Sequence, residues 1–320
     1  GFGPSVAGQV AVLALILTLM AVAALMLRSA AMRRLRVPLE AGRPFVPAHP
    51  APLWAQGLLW AAVLPIAILP LAALVMTSFV PAIGVPVALD SAGLDQYRRV
   101  LDNAAVMRAF RNSLVLSALA AALCLIVALP LAYLTARRPG PALTLLDLTA
   151  EAPWVVPGTV VALAMILAFL PPLPLIGVSL YGTGAIILIA YLARFLPLVL
   201  RPVAAAAASG DPAQDEAARI AGIALPRRLT RIFAPSVAPA ALAGAMLIVM
   251  TALNELTLSA LLWSSGHETI GVMVFALQYE GNSTAAAALS VLSTLLLIAL
   301  CALAELLLRG RGAGALPWRA

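Results

Sequence analysis

The sequence contains no lysine at all: each of its 20 basic residues is arginine. A nucleotide-binding P-loop needs the lysine of GxxxxGK[ST] to reach the phosphates, so this chain does not hold ATP by that motif. Charge is scarce too, at 10% of residues against roughly 25% in an ordinary soluble domain. Cysteine is limited to Cys124 and Cys301, both inside apolar runs, where they read as small buried hydrophobes rather than a disulfide or metal pair. The histidines, His49 and His267, stand in separate loops with no ligand spacing around them, and no metal site is assigned. Segments of about ten residues with alternating polarity, the mark of a membrane β-barrel, are missing as well.

What remains is hydrophobicity: 63% of residues, with a mean hydropathy of +1.04. Apolar runs at 6–27, 56–79, 112–136, 152–171, 183–203, 237–262 and 284–308 approach or exceed the roughly 20 residues that cross a bilayer core. The chain is therefore expected to be an all-α polytopic membrane protein.

Arginine sorts the loops. Arg28, Arg33, Arg34, Arg36 and Arg43 follow the first run, Arg137 and Arg138 the third, Arg201, Arg219, Arg227, Arg228 and Arg231 the fifth, and Arg309, Arg311 and Arg319 the last. The alternate loops hold only Arg98, Arg99, Arg108 and Arg111. By the positive-inside rule the fifteen mark the cytoplasmic side. The first run then crosses from outside to inside, opens on Gly1 rather than Met, and has neither the basic flank nor the cleavage site of a signal peptide. Residues 1–28 are read as the last helix of a preceding membrane half, joined by a Pro- and Arg-bearing linker at 29–55 to a six-helix unit at 56–308, with a cytoplasmic tail at 309–320. A seven-span protein with its N-terminus outside is the alternative.

One cytoplasmic loop, within 204–236, is compact and charged: "GDPAQDEAARIAGIALPRRLTRIFAP", residues 210–235. Asp211 suits an N-cap, Pro212 the first helical position, and Gln214 the reach-back of a capping box. Asp215 and Glu216 favour the positive end of the helix dipole, and Gly222 the left-handed position after the helix. The pattern predicts a helix over 212–221, a turn, and a second helix from about Pro226 to Pro235. A ten-residue helix is marginal alone in water. It could lie on lipid headgroups, but "AQDEAARIAG" lacks bulky apolar anchors and suits close approach to another protein surface.

Glu216, Ala217 and Ala218, three residues, Gly222, nine residues, then Ile232 and Pro235 resemble the EAA loop of ABC importer permeases. The Leu usual before the final proline is Ala234 here. "LDQYRRVLDNAAVMRAFRNSLVLS" (94–117) resembles the segment preceding the second core helix in that family. The resemblance covers about 56–308 and implies a six-helix type I ABC importer permease core preceded by one extra transmembrane helix. It implies that Asp215, Glu216, Ala217, Ala218, Gly222, Ile232 and Pro235 couple the chain to a separate dimeric ATP-binding subunit, which carries the ATP and Mg; this chain binds no cofactor and is not an enzyme. It also implies an extracytoplasmic solute-binding protein, a second permease half (fused or separate), and a place in the lipid of the bacterial inner membrane. No nucleic-acid partner is expected.

Polar groups within the spans are costly and tend to face interior surfaces. Asn254 and Glu255, with Arg194, are candidates for the translocation path; the alternative is a hydrogen bond or ion pair between helices. Tyr191 is read as packing. Small residues at 238–245 permit close helix contact, and Pro130, Pro157 and Pro197 suggest kinks. The outer loops, 80–111 and 263–283, would face the binding protein, with His267, Glu268 and Glu280 read as solvated. "ALNELTLSALLWSSGHETIGVMVFALQYEGNSTAAAALSVL" is most similar to iron(III)-type permeases, a branch in which double-length chains occur, and to polyamine, thiamine and phosphonate importers. An ion-coupled secondary transporter and a membrane scaffold are the more distant readings. The first would need coupling-ion sites, for which Glu255 alone is thin support, and the second has no use for a capped cytoplasmic helix.

Overall fold

The computed structural model describes residues 52–85, 92–137, 140–174 and 177–308, plus isolated helical positions within 12–27. Most of the expected first span, most of the linker 29–55 and the tail 309–320 lie outside the described residues. Among the described residues every regular element is helical: α1 (Leu53–Phe79), α2 (Asp95–Asp102), α3 (Ala104–Arg137), α4 (Pro141–Val155), α5 (Gly158–Phe169), α6 (Gly184–Ser209), α7 (Ala213–Ile220), α8 (Leu225–Ser236), α9 (Ala238–Leu253), α10 (Ser259–Leu262), α11 (Ile270–Tyr279) and α12 (Ser283–Leu308).

Helices α1, α3, α6 and α12 are each long and apolar enough to cross a bilayer. Two bent pairs, α4 with α5 at 111° and α8 with α9 at 79°, bring the number of spans to as many as six. That matches the six-helix core expected for 56–308. Helices α3, α6 and α9 form its centre. Alanines 120, 128 and 132 of α3 face Ile186, Ile187, Ala190 and Val199 of α6 without exposed surface. The small residues of 238–245 do what their size allows: a Cβ added to Gly244 of α9 would lie 2.6 Å from the Val199 Cα of α6, so the two backbones touch. Helix α1 stays on the rim, where its apolar side chains suit lipid, and burial begins only at Ser78, whose Oγ lies 2.6 Å from the Tyr97 hydroxyl of α2.

Several boundaries differ from expectation, each for a local reason. The third span is not 112–136 but the whole of α3. The Asn103 carboxamide accepts the Ala105 N–H at 2.9 Å and starts the helix early, which places Arg108 and Arg111 on the helix. The expected loop 80–111 therefore contains α2 and the start of α3, and the loop 263–283 contains α11. Pro130 and Pro197 leave their helices continuous, whereas Pro157 marks a full break. Val156, the residue before a proline, is held extended at φ −71° and ψ 138°, so the span expected at 152–171 turns there. The span expected at 237–262 likewise ends at Leu253, and a short bend separates it from α10.

Candidate functional site

The charged loop folds as its sequence dictates. The Asp211 carboxylate accepts the Ala213 N–H at 2.9 Å, filling one of the orphan donors at the start of α7. The reach-back expected from Gln214 is absent from the loop's hydrogen bonds, and Gln214 lines a small cavity instead. At the other end, the Gly222 N–H donates to the Arg219 carbonyl at 3.1 Å and the Ile223 N–H to the Ala218 carbonyl at 3.0 Å. With Gly222 at φ +75°, this is the Schellman arrangement that glycine favours. Pro226 opens α8, which passes through one π turn at Leu229–Phe233 before the 79° bend into α9.

One face of α7 is turned inward. Asp215, only 6% exposed, receives both arms of the Arg228 guanidinium, Nε to Oδ1 at 2.9 Å and Nη2 to Oδ2 at 2.7 Å. The Tyr133 hydroxyl of α3 donates to the same carboxylate at 2.9 and 3.1 Å, and Arg228 Nη2 also reaches that hydroxyl. The Phe233 ring of α8 packs edge-on against Tyr133 at 5.1 Å between centroids. The Arg228 hydrogen bonds hold the Asp215 carboxyl below the usual carboxylate range against the opposing cost of burial, with help from Tyr133 and the charge of Arg137. Asp215 is thus an anchor rather than a surface contact.

The opposite face is free. Glu216, Ala217 and Arg219 are exposed, and Ile220 is 84% exposed at the tip. Ala218 is buried against the loop's own interior, Pro235 is exposed, and Ile232 is half-buried beside a cavity of about 140 Å³ that Gln214 and Arg137 also line. The seven residues expected to act together therefore divide. Glu216 and Ala217 are presented outward, Gly222 makes the turn, Asp215, Ala218 and Ile232 are turned inward to different degrees, and Pro235 lies exposed near the end of α8. Sequence reasoning missed Arg228 and Tyr133 as partners of Asp215; the tyrosine is 82 residues away from it, and no local pattern announces such a contact.

Of the intramembrane candidates, Arg194 reaches from the continuous α6 to the break between α4 and α5, and Asn254 and Glu255 lie at the bend between α9 and α10. Arg194 Nη1 donates at 2.8 Å to the Val156 carbonyl, which the break leaves without a helical partner, and the guanidinium lies over the Trp154 ring. The buried Glu255 carboxylate accepts the N–H groups of Leu258 at 3.0 Å and Ser259 at 3.1 Å and the Thr257 hydroxyl, starting α10. Asn254 is exposed and accepts from Ser293 of α12 at 2.6 Å. The inter-helix hydrogen bonds are present; an ion pair between Arg194 and Glu255 is not among the salt bridges of the described residues. The α4–α5 break and the α9–α10 bend meet, because a Cβ on Gly158 would collide with the Thr257 Oγ1 and lie 3.5 Å from the Arg194 Cζ. Tyr191 is fully buried and bonded to Ser259 at 2.7 Å, as packing requires.

On the far side, Glu268 is not solvated. It is 5% exposed, accepts the Gly266 N–H at 2.9 Å, and faces Arg108 at 3.6 Å. His267 packs against Gly184 and Ser264, while Glu280 is exposed.

Comparison with known proteins places this architecture. Residues 128–310 match the family described as the binding-protein-dependent transport system inner membrane component. An ABC transporter permease protein of Sinorhizobium fredii, y4fN, is 33% identical over 72% of this chain, which spans 41% of that protein's length. PhnU of Salmonella typhimurium, a permease protein named for a 2-aminoethylphosphonate transport system, is 27% identical over 67% of this chain and 79% of its own. FbpB 2 of Haemophilus influenzae, named as an Fe(3+)-transport system permease protein, is 28% identical over 61% of this chain and 38% of its own. A bacterial alginate ABC transporter, crystallised in complex with an alginate pentasaccharide-bound periplasmic protein, contains a chain of the same fold, with a TM-score of 0.62 at 18% identity over 80% of this chain and 96% of that one. The chain belongs to the binding-protein-dependent transport system inner membrane components, the permeases of ABC transporters.

Proposed function

We propose that the chain moves a solute, delivered by an extracytoplasmic binding protein, through a path shared with a second permease half, and that α7 is its coupling helix. The observation that carries this reading is the division of α7: Asp215 locked inward to Arg228 and Tyr133, with Glu216, Ala217 and Ile220 held outward on a capped, pre-ordered helix. An ordered helix of eight residues that exposes an isoleucine is fit to seat in a groove of another subunit. ATP and Mg belong to that subunit, and closure of its dimer would displace α7. Ile232 and Pro235 act through the placement of α8.

The solute proposed is iron(III), supported by the similarity to the Fe(3+)-transport permease FbpB 2. A phosphonate is the second reading, supported by PhnU, most of whose length this chain covers. Among the described residues no group of three or more His, Cys, Asp or Glu side chains comes together as a metal site; selectivity is proposed to rest with the binding protein. Arg194, Asn254 and Glu255 shape the break region that borders the path. The test is reconstitution of the full chain with its ATP-binding subunit and binding protein, measuring uptake of ferric ion and of 2-aminoethylphosphonate. ATP-dependent uptake of ferric ion is expected, abolished by Glu216→Lys combined with Gly222→Pro. Uptake without ATP, or uptake that survives the double variant, would overturn the coupling reading; uptake of the phosphonate alone would overturn iron.

A further inference from the structure

A push on α7 has two soft places to dissipate. The chain enters through Gly210, extended at φ −78° and ψ 149°, and leaves through Gly222 at φ +75° and Ala224, extended again. Neither joint continues a helix. A covalent connection alone would let α7 tilt while the membrane helices stayed still. Among the described residues, the side-chain hydrogen bonds that bypass both joints are those of Asp215. Its bidentate bond to Arg228 spans the Gly222 turn and makes α7 and α8 one wedge, and its bonds from the Tyr133 hydroxyl fasten that wedge to α3.

Helix α3 is the other half of the argument. It runs unbroken over 34 residues, about 50 Å at the usual helical rise. Near its far end, roughly 30 Å from Tyr133 by the same rise, it grips the loop between α10 and α11. The Asn112 side chain donates to the Gly266 and Glu268 carbonyls, both at 3.0 Å, and the Ser113 hydroxyl accepts the Ile270 N–H at 2.9 Å. Arg108 faces the buried Glu268 carboxylate at 3.6 Å. One continuous helix is therefore hydrogen-bonded to the charged loop at one end and to the opposite surface at the other.

We propose that Tyr133, with Asp215 and Arg228, is a positioning residue that ties α7 to α3, so that displacement of α7 travels as a rigid-body shift of α3 to residues 264–270 on the opposite face. The proposal rests on the coupling reading of α7 above. It assigns a role in transmission to side chains outside the surface offered to the ATP-binding subunit, and it makes the loop at 264–270 the place where the state of that subunit is displayed to whatever docks there.

The test uses the full chain in the complex it retains when extracted from its native membrane, with ATP plus vanadate as the probe and amide hydrogen exchange as the readout. In the wild type, exchange is expected to change at 213–220 and at 264–270 together. Tyr133→Phe removes one hydroxyl from a packed ring; it should leave ATP turnover and the 213–220 response in place and abolish the response at 264–270. Should that variant fail to assemble, Asn112→Ala at the far end of α3 makes the same test, losing the 264–270 response alone. A 264–270 response that persists undiminished in these variants overturns the tie. No response at 213–220 in the wild type overturns the coupling reading itself, which is a separable result. A structural role without transmission would lower thermal stability and shift both responses together.

Discussion

Gly222 offers a graded test of the loop. Its φ of +75° lies in the left-handed region, and a Cβ built there meets nothing within 4 Å. The penalty for a side chain is therefore backbone strain alone, about 1–2 kcal/mol for alanine, or a factor of roughly 5–30 against the native turn. Asparagine tolerates this conformation better than alanine does, and valine worse. Proline is a different case: it fixes φ near −65° and removes the N–H that bonds the Arg219 carbonyl at 3.1 Å. The expected order of turn stability is Gly, Asn, Ala, Val, then Pro. Amide exchange at 218–223 in the isolated full chain reads it directly, and retention of the ATP-binding subunit on purification should follow the same order. If Gly222 were required instead because a partner's backbone approaches it, side-chain size would rule. Asparagine would then fall below alanine in subunit retention, while exchange in the isolated chain would not change across the series. That result would refute the strain argument.

Gly244→Val should force α6 and α9 apart, since even a Cβ lies 2.6 Å from the Val199 Cα and 2.9 Å from the Leu198 carbonyl; overpacking of this kind costs about 1–3 kcal/mol, read as a lower unfolding midpoint in nanodiscs. Arg194→Met leaves the Val156 carbonyl without its 2.8 Å partner and should cost about 1–3 kcal/mol, with faster exchange confined to the break at 155–158. The Asp215 carboxyl is held below its ordinary range chiefly by Arg228. Its stabilising contribution is thus complete above the usual aspartate range and lost as pH falls through the depressed value. Protection of α7 should drop only under strongly acid conditions, and Asp215→Asn should remove that dependence while lowering protection at neutral pH.

The parts of this fold that local chemistry controls were legible. Hydrophobic run length located the membrane helices of the described core, though not all their bounds, the GDP opening and Gly222 marked the ends of α7, and the small residues at 238–245 allow the α6–α9 contact. The breaks were not. Pro130, Pro157 and Pro197 look alike in sequence, yet two sit inside continuous helices and one begins a 111° turn. The difference lies in what receives the freed backbone: the Val156 carbonyl has Arg194, supplied by another helix. For Glu255, left open between a path and a hydrogen bond, a run of apolar residues hid the end of α9, where its carboxylate accepts the N–H groups of Leu258 and Ser259. The EAA spacing puts Asp215 among the coupling residues but says nothing of which face each residue takes. Its inward turn depends on Tyr133, and long-range partners leave no trace in a single sequence.

The central claim is that the outward face of α7 seats in a separate ATP-binding subunit. Ile220, 84% exposed, is the place to ask. A photo-crosslinking amino acid at that position in the full chain, irradiated in native membranes, is predicted to give an adduct whose partner peptides carry a P-loop and whose yield changes with ATP and vanadate. Adducts to lipid or to this chain alone, unaffected by nucleotide, would contradict the account.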